Sequence, residues 1–297
     1  YDKKINFITT AEKKYGLGHF VRCKTLYREI NETFSSNLSF FFIKKDSHKI
    51  DLNGIKNYKI LNKLNSNLFL NDEIFIVDLP QEMLKNLITV LNKFKKKVIL
   101  IDNFSHLKKN NIYLPVIKFY NKKNNNLIKT NNLILKRDLL YEKLKKNKKI
   151  YDQLFITSGS FFFNQNVLNF IKKQPQLKTL CILGPYCSQK EINKLKKLKI
   201  KYLVNPKNIS ELMCSSKRIF TRFGVTAFEI MSIGLKPIII LHNDTPQRLE
   251  DIKNLENKNI LILFNKFIKN NKINIFLKKN IELNFGAPNF IKLIKKI

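Results

Sequence analysis

The run GLGHFVRC, residues 16–23, sets two glycines, a histidine and an arginine between an apolar stretch and an amphipathic one. Glycines at a strand-to-helix turn let the backbone approach a ligand, and the N–H groups of a helix start offer partners to an anion. His19 would stand at that start, where an imidazole titrating near neutral pH can take a proton from water. Arg22, three residues on, shares its helical face. Gly16, Gly18, His19 and Arg22 are therefore read as a ligand loop, with a tight glycine turn and a capping histidine as the plainer alternative. Cys23 is read as packing.

Other strand ends carry further candidates. Asp78 in IVDLP and Asp102 in LIDNF are carboxylates closing apolar runs, suited to orient a histidine, hold a sugar hydroxyl or cap a helix. Ser158, Gly159 and Ser160 in TSGS could present N–H and hydroxyl groups to a diphosphate, although such pairs mark any turn. In TRFGVTAFEIMSIGLKP, Gly224 precedes Thr226 and Glu229, a hydroxyl and a carboxylate within one helical turn. The carboxylate can accept two ribose hydroxyls and the threonine can meet a phosphate. The same pair also reads as a capping box, with Thr226 as N-cap and Glu229 as its partner. HNDTPQRLEDI then offers His242, Asp244 and Gln247.

The elements that must position these residues alternate between apolar runs and amphipathic stretches, the pattern of parallel sheets with crossover helices. Strands are expected at 4–10, 38–43, 73–80 and 97–104, with helices at 19–32 and 82–94. Residues 118–132 read as an exposed loop and 133–150 as a short apolar segment followed by a charged helical connector. The pattern then restarts, with strands expected at 152–160, 179–185, 200–205, 218–223, 236–241 and 259–264. Such continuous apolar strands are expected where both sheet faces are covered. Two Rossmann-like halves follow, residues 1–150 and 151–297, and the last helix, APNFIKLIKKI, is expected to pack back on the body.

The chain has 297 residues, 44% of them hydrophobic, enough for two domains with substantial cores. It contains no run of ~18 uncharged apolar residues, so no transmembrane helix is expected. The opening YDKKINFITT leads straight into a strand, which argues against a signal peptide. The four cysteines form no CxxC pair, so a cytoplasmic protein with reduced thiols and no metal site is expected. The net charge of +34 invites a nucleic-acid reading. However, the excess is lysine amid asparagine and isoleucine, as in NKKNNNLIKTNN, and arginine is scarce. This is the signature of AT-rich coding, so specific nucleic-acid binding is not expected, whereas anionic small substrates are attracted either way.

Taken in order, GLGHFVRC, the strand-end aspartate, the connector LKRDLLYEKLKKNKKIYD, a small-residue loop, G-x-T-x-x-E and a following glutamine resemble one family. It is the UDP-sugar hydrolase of pseudaminic-acid biosynthesis, grouped with the spore-coat polysaccharide biosynthesis proteins. The second half is also similar to the peptidoglycan N-acetylglucosaminyltransferase. The resemblance implies an α/β fold of GT-B type, two Rossmann-like domains with mostly parallel sheets facing a central cleft. It also implies hydrolysis of a UDP-linked amino-deoxy sugar to free sugar and UDP, with no cofactor. His19 matches the family's essential loop histidine, and Gly18 and Arg22 its neighbours in the sugar pocket. Asp78 matches an acidic strand-end position, Thr226 and Glu229 the nucleotide-side helix, and Gln247 a residue after it. The chain departs from the family where SGSFF replaces a GGxD-like loop, and where Arg222 and Phe223 replace two small residues before G-x-T. A GT-B glycosyltransferase using a UDP-sugar donor is the alternative. A non-catalytic double Rossmann protein that binds nucleic acid is a third reading.

Overall fold

Strand β1 (Ile5–Thr10) is buried along its whole length, as is β4 (Ile74–Asp78) beside it. Each lies inside a parallel sheet with two covered faces, so β1 buries Asn6, Thr9 and Thr10 along with its apolar side chains. In this computed structural model the described residues are 4–34, 37–44, 50–62, 73–80, 82–84, 87, 97–101, 111–114, 118–119, 128–135, 138–145, 148–157, 163–242, 244, 246–270, 274–277, 281–285 and 287–296. The chain divides into two compact units, the first formed by Tyr1–Tyr120, Ile128–Ile134 and Glu282–Ile297, the second by Asn121–Leu127 and Leu135–Ile281.

The first unit holds a six-stranded sheet in the order β3-β2-β1-β4-β5-β6, where β2 is Leu38–Ile43, β3 Tyr58–Leu61, β5 Lys97–Ile101 and β6 Asn111–Leu114. Every pairing in it is parallel. Helix α1 (Gly18–Thr33) crosses from β1 to β2 and turns Phe20, Cys23, Leu26, Tyr27 and Ile30 inward. Its aromatics meet those of the sheet: Phe20 lies 5.4 Å from Phe42 and Tyr27 5.6 Å from Phe7. This packing fixes the rotation of α1, and with it the direction in which His19 and Arg22 leave the helix. Ile8, Phe75, Val77, Val98 and Leu100 build the core on the other face. The expected helix over 82–94 is described only at 82–84 and 87, where the Met83 and Leu84 N–H groups donate to Pro80 O.

Residues 118–132, expected to be a loop, contain β7 (Lys118–Phe119) and most of β8 (Ile128–Leu133). These pair antiparallel and join β15 (Ile281–Phe285) in a three-stranded sheet. The polar strand KTNN escapes a periodicity reading because its partner lies far along the chain. Helix Ala287–Lys296 packs within the first unit against α1 and β8, burying Phe290 and Ile294.

The second unit repeats the strand order as β11-β10-β9-β12-β13-β14, again all parallel. Here β9 is Tyr151–Ile156, β10 Thr179–Leu183, β11 Lys201–Val204, β12 Ser216–Thr221, β13 Ile238–Ile239 and β14 Ile262–Leu263. Phe155 and Phe220 stack at 4.1 Å on neighbouring strands, with Phe264 and Phe267 closing the same face. Among the described residues no helix is long and apolar enough to cross a membrane.

Candidate functional site

In an open α/β sheet, ligands bind beyond the carboxyl ends of the strands, where the strand order reverses. In the first unit that point lies between β1 and β4, and the loop after β1 carries GLGH. Gly16 adopts φ 73° and ψ −172°, a backbone region that only glycine tolerates well, so the turn demands it. Leu17 caps the helix and Gly18 is its first residue. An added Cβ at Gly18 meets no atom within 4 Å, so this glycine borders open space rather than a close packing contact.

The register of β1 against β4 sets Thr9 opposite Asp78, which brings the carboxylate to the same end of the sheet as the α1 start. Asp78 has no exposed surface. Arg22 grips it with both arms of its fork, Nε donating to Oδ2 at 2.8 Å and Nη2 to Oδ1 at 2.8 Å. His19 Nδ1 lies 2.6 Å from Oδ1, and Arg22 Nη2 passes 3.3 Å from the same ring nitrogen. Burial by itself pushes the Asp78 carboxyl up. The Arg22 charge, then the His19 charge and hydrogen bonds from both, outweigh burial and hold it below the ordinary carboxylate range.

An ionised carboxylate can only accept, so His19 donates through Nδ1. Nε2 is then the basic nitrogen of a ring that remains 24% exposed. A buried carboxylate that fixes the tautomer and stabilises the imidazolium is what a general base needs. Cys23 is fully buried, and its thiol is pushed well up by desolvation and by the charge of Asp78, so it belongs to the core as expected.

In the second unit the strand order reverses between β9 and β12. Thr157, next after β9, donates to Ile182 O and accepts the Gly184 N–H, tying the ends of β9 and β10. Ser158, Gly159 and Ser160 lie outside the described residues, as does Asp102. After β12, Gly224 is the N-cap of helix Val225–Ser232, and a Cβ there meets nothing within 4 Å. Thr226 is therefore the second residue inside the helix, which overturns the capping-box alternative. Glu229 is buried, as are the residues on both sides of it in this helix. Gln247 is the second residue of helix Pro246–Asn257.

Asp244, expected to face a ligand, is instead turned inward with a side chain 1% exposed. It accepts from Arg222, Arg248 and the His242 N–H. Arg222 stands out in the sequence only as a departure from the family's pattern, and Arg248 by nothing in its own type. The visible signal was the four-residue spacing of Asp244 and Arg248, which suits an ion pair at a helix start. Among the described residues no group of three or more His, Cys, Asp or Glu side chains is placed to share a metal ion.

No family profile matches the chain. An uncharacterized Methanocaldococcus jannaschii protein, MJ1062, is 27% identical over 285 residues, covering 82% of this chain and 57% of that relative's length. This chain thus spans little more than half of that relative. Among solved structures, MurG of Acinetobacter baumannii matches 99% of this chain and 100% of its own with a TM-score of 0.60 and 12% identity. The M. jannaschii UDP-GlcNAc 2-epimerase, solved with UDP-GlcNAc and UDP, matches over the same shares with a TM-score of 0.59 and 11% identity. Anabaena HepE, solved with UDP and glucose, covers 99% of this chain and 98% of its own, with a TM-score of 0.54 and 12% identity. These likenesses establish the fold, α/β with two parallel sheets of the GT-B type.

Proposed function

We propose that the protein is a nucleotide-sugar enzyme that cleaves the bond between an amino-deoxy sugar and UDP, with water as the acceptor. The observation that carries this reading is the pairing of His19 with the buried, ionised Asp78 at the strand-order reversal of the first sheet. Two of the solved structures of like fold hold UDP, one of them beside free glucose, which supports the substrate class.

In the proposed reaction His19 Nε2 takes a proton from water as the oxygen attacks the anomeric carbon. The new C–O bond forms as the bond to the β-phosphate oxygen breaks, and that electron pair leaves with UDP. Asp78 stabilises the imidazolium through Nδ1–H, and Arg22 holds Asp78 ionised and in place. Arg22 and Asp78 are thus positioning residues in this reading, rather than groups that touch the sugar. Gly18 lies beside the substrate. Gly224, Thr226, Glu229 and Gln247, with Ser158, Gly159 and Ser160, serve the nucleotide. UDP is already a stable anion at neutral pH, so N–H groups that meet its developing charge suffice without strong protonation.

A GT-B transferase is the second reading, because the same histidine can deprotonate a sugar hydroxyl. Thermal unfolding with UDP, against CMP, GDP and ADP, tests the substrate class. A ligand at 100 times its Kd stabilises the fold by about 2.7 kcal/mol, and a shift with UDP alone is expected. No shift with any nucleotide overturns the proposal. Incubation with a UDP-amino sugar and no acceptor then separates the two readings, since a hydrolase turns over many times and a transferase hardly at all.

A further inference from the structure

Strand β11 ends the second sheet, with β10 on one side and, among the described residues, no strand on the other. Leu180 pairs with Lys201 and Leu183 with Val204, and the Asn205 N–H donates to Leu183 O at 2.9 Å. Along a strand, alternate residues turn their backbone groups to opposite sides. Lys201, Leu203 and Asn205 therefore bond toward β10, while the N–H and C=O groups of Tyr202 and Val204 point to the open side. The side chains at this edge include two apolar ones in solvent, Leu203 at 36% and Val204 at 43% exposure. An edge of this kind is a template for a further strand.

The charge around the edge is one-sided. Helix Gln189–Lys197 packs on β11, and Lys194, Lys196, Lys197, Lys199, Lys201 and Lys207 are all exposed. They are six of the 14 residues from 194 to 207, against 56 lysines and arginines among 297 in the chain, and no acidic residue stands in that span. The acidic residues on either side of it in sequence are engaged. Glu191 accepts from the Ser188 N–H and hydroxyl in a capping box, and Glu211 accepts from Asn208. Lysines beside an edge oppose its pairing with a second copy of the same chain, because like charges would meet. They favour an acidic strand, whose carboxylates they meet while its apolar side chains cover Leu203 and Val204.

We propose that β11 is a docking edge, at which an extended acidic segment of a partner protein adds to the six-stranded sheet as a further strand. Backbone hydrogen bonds to Tyr202 and Val204 set its register, and the lysines select its charge. A nucleic acid would use the lysines alone and leave the apolar edge uncovered. The surface shares no residue with the His19 arrangement, so it stands whatever reaction that site performs.

The test is fluorescence anisotropy of the full chain with a labelled octapeptide of alternating glutamate and valine. Three probes of equal length serve beside it: alternating lysine and valine, the acidic peptide with proline in place of valine, and a single-stranded oligothymidylate. The acidic peptide is expected to bind, and the basic and proline-bearing peptides are not. Amide exchange across residues 201–204 should slow when the acidic peptide is bound. Val204→Pro removes one outward N–H at an exposed position and leaves the charge intact. Its Kd should rise roughly three- to tenfold, the equivalent of one backbone hydrogen bond. Lys199→Glu with Lys201→Glu, both at exposed positions, should weaken binding and remove most of its salt dependence. Should Val204→Pro unfold, the proline-bearing peptide asks the same question from the partner's side. A proline-bearing peptide that binds as tightly as its parent, or a folded Val204→Pro with unchanged Kd, overturns strand addition. The oligothymidylate bound more tightly than the acidic peptide, and lost in the charge-reversed variant, assigns the lysines to nucleic acid and overturns the proposal. A wild type that does not bind the acidic peptide overturns it as well.

Discussion

His19 Nδ1 and Asp78 Oδ1 lie 2.6 Å apart although 59 residues separate them in the chain. The contact depends on the start of α1 standing over the adjoining strand end, and on Arg22, one turn further along the same helical face, gripping both oxygens of the carboxylate. An isolated carboxylate with no exposed surface would be very unfavourable. Here, two guanidinium hydrogen bonds and the imidazole offset its desolvation.

Replacing His19 by Asn should remove general-base assistance and lower turnover about 10²–10⁴-fold. His19 also shares in holding the buried Asp78, so the unfolding midpoint should fall modestly, and by less than in Asp78→Asn, where Arg22 loses its partner. Turnover within a few-fold of the parent, measured on a UDP-amino sugar, excludes His19 as the base.

Asp78→Asn is expected to cost about 3–5 kcal/mol at neutral pH, because it leaves Arg22 buried without its partner. The sign of the pH dependence follows from the lowered carboxyl. Ionised Asp78 stabilises the folded chain above the ordinary aspartate value of about 3.9, and that share is lost as pH falls through the lower folded value. Urea unfolding of both proteins should therefore show a gap that is constant above about pH 5 and narrows in acid. A gap that widens in acid contradicts an ionised Asp78.

Arg22→Lys preserves the charge and loses the two-pronged grip. The expectation is a loss of about 1–3 kcal/mol and a fall in kcat with little change in KM, since the side chain orients His19 rather than the sugar. A rise in KM alone would instead place Arg22 on the substrate.

The two loop glycines should behave differently. Gly16→Ala forces a side chain into a positive-φ conformation, which costs on the order of 1–3 kcal/mol. Gly18→Ala adds a methyl group where the protein has open space, so stability should hold while affinity for the sugar nucleotide falls. Denaturant midpoints paired with ligand titrations separate the two effects.

Thiol labelling checks the packing. Cys23 and Cys181 are buried with thiols pushed up by desolvation, whereas Cys187 is partly exposed. An alkylating reagent at neutral pH should modify Cys187 first and reach the other two only on unfolding, as read by peptide mass spectrometry.

Much of the fold was legible because the information is local. Continuous apolar runs bounded by turn residues announced β1, β2, β4, β9, β10 and β12 within a few residues of where they lie. Helix α1 was legible as an amphipathic stretch over 19–32, one residue from each of its observed ends. The three-stranded sheet was not, because Ile128–Leu133 is polar and its neighbour β15 is joined to it only through tertiary pairing. Of the two readings of Thr226, in the first turn of a helix or as its N-cap, the structure bears out the first. Gly224 as N-cap places Thr226 inside the helix, a matter of two residues that leaves the apolar periodicity unchanged.

The sequence by itself determined that this is an α/β protein with a histidine at a glycine-rich strand end, because periodicity and turn chemistry act over a few residues. Only the tertiary structure decided which groups that histidine and its neighbours meet. Asp78 became a buried anchor for His19 and Arg22 through the register of β4 on β1. Asp244 was turned inward by two arginines, one of them from the end of β12. A carboxylate's role depends on its burial and its partners. Those are set by strands and helices brought together from distant parts of the chain.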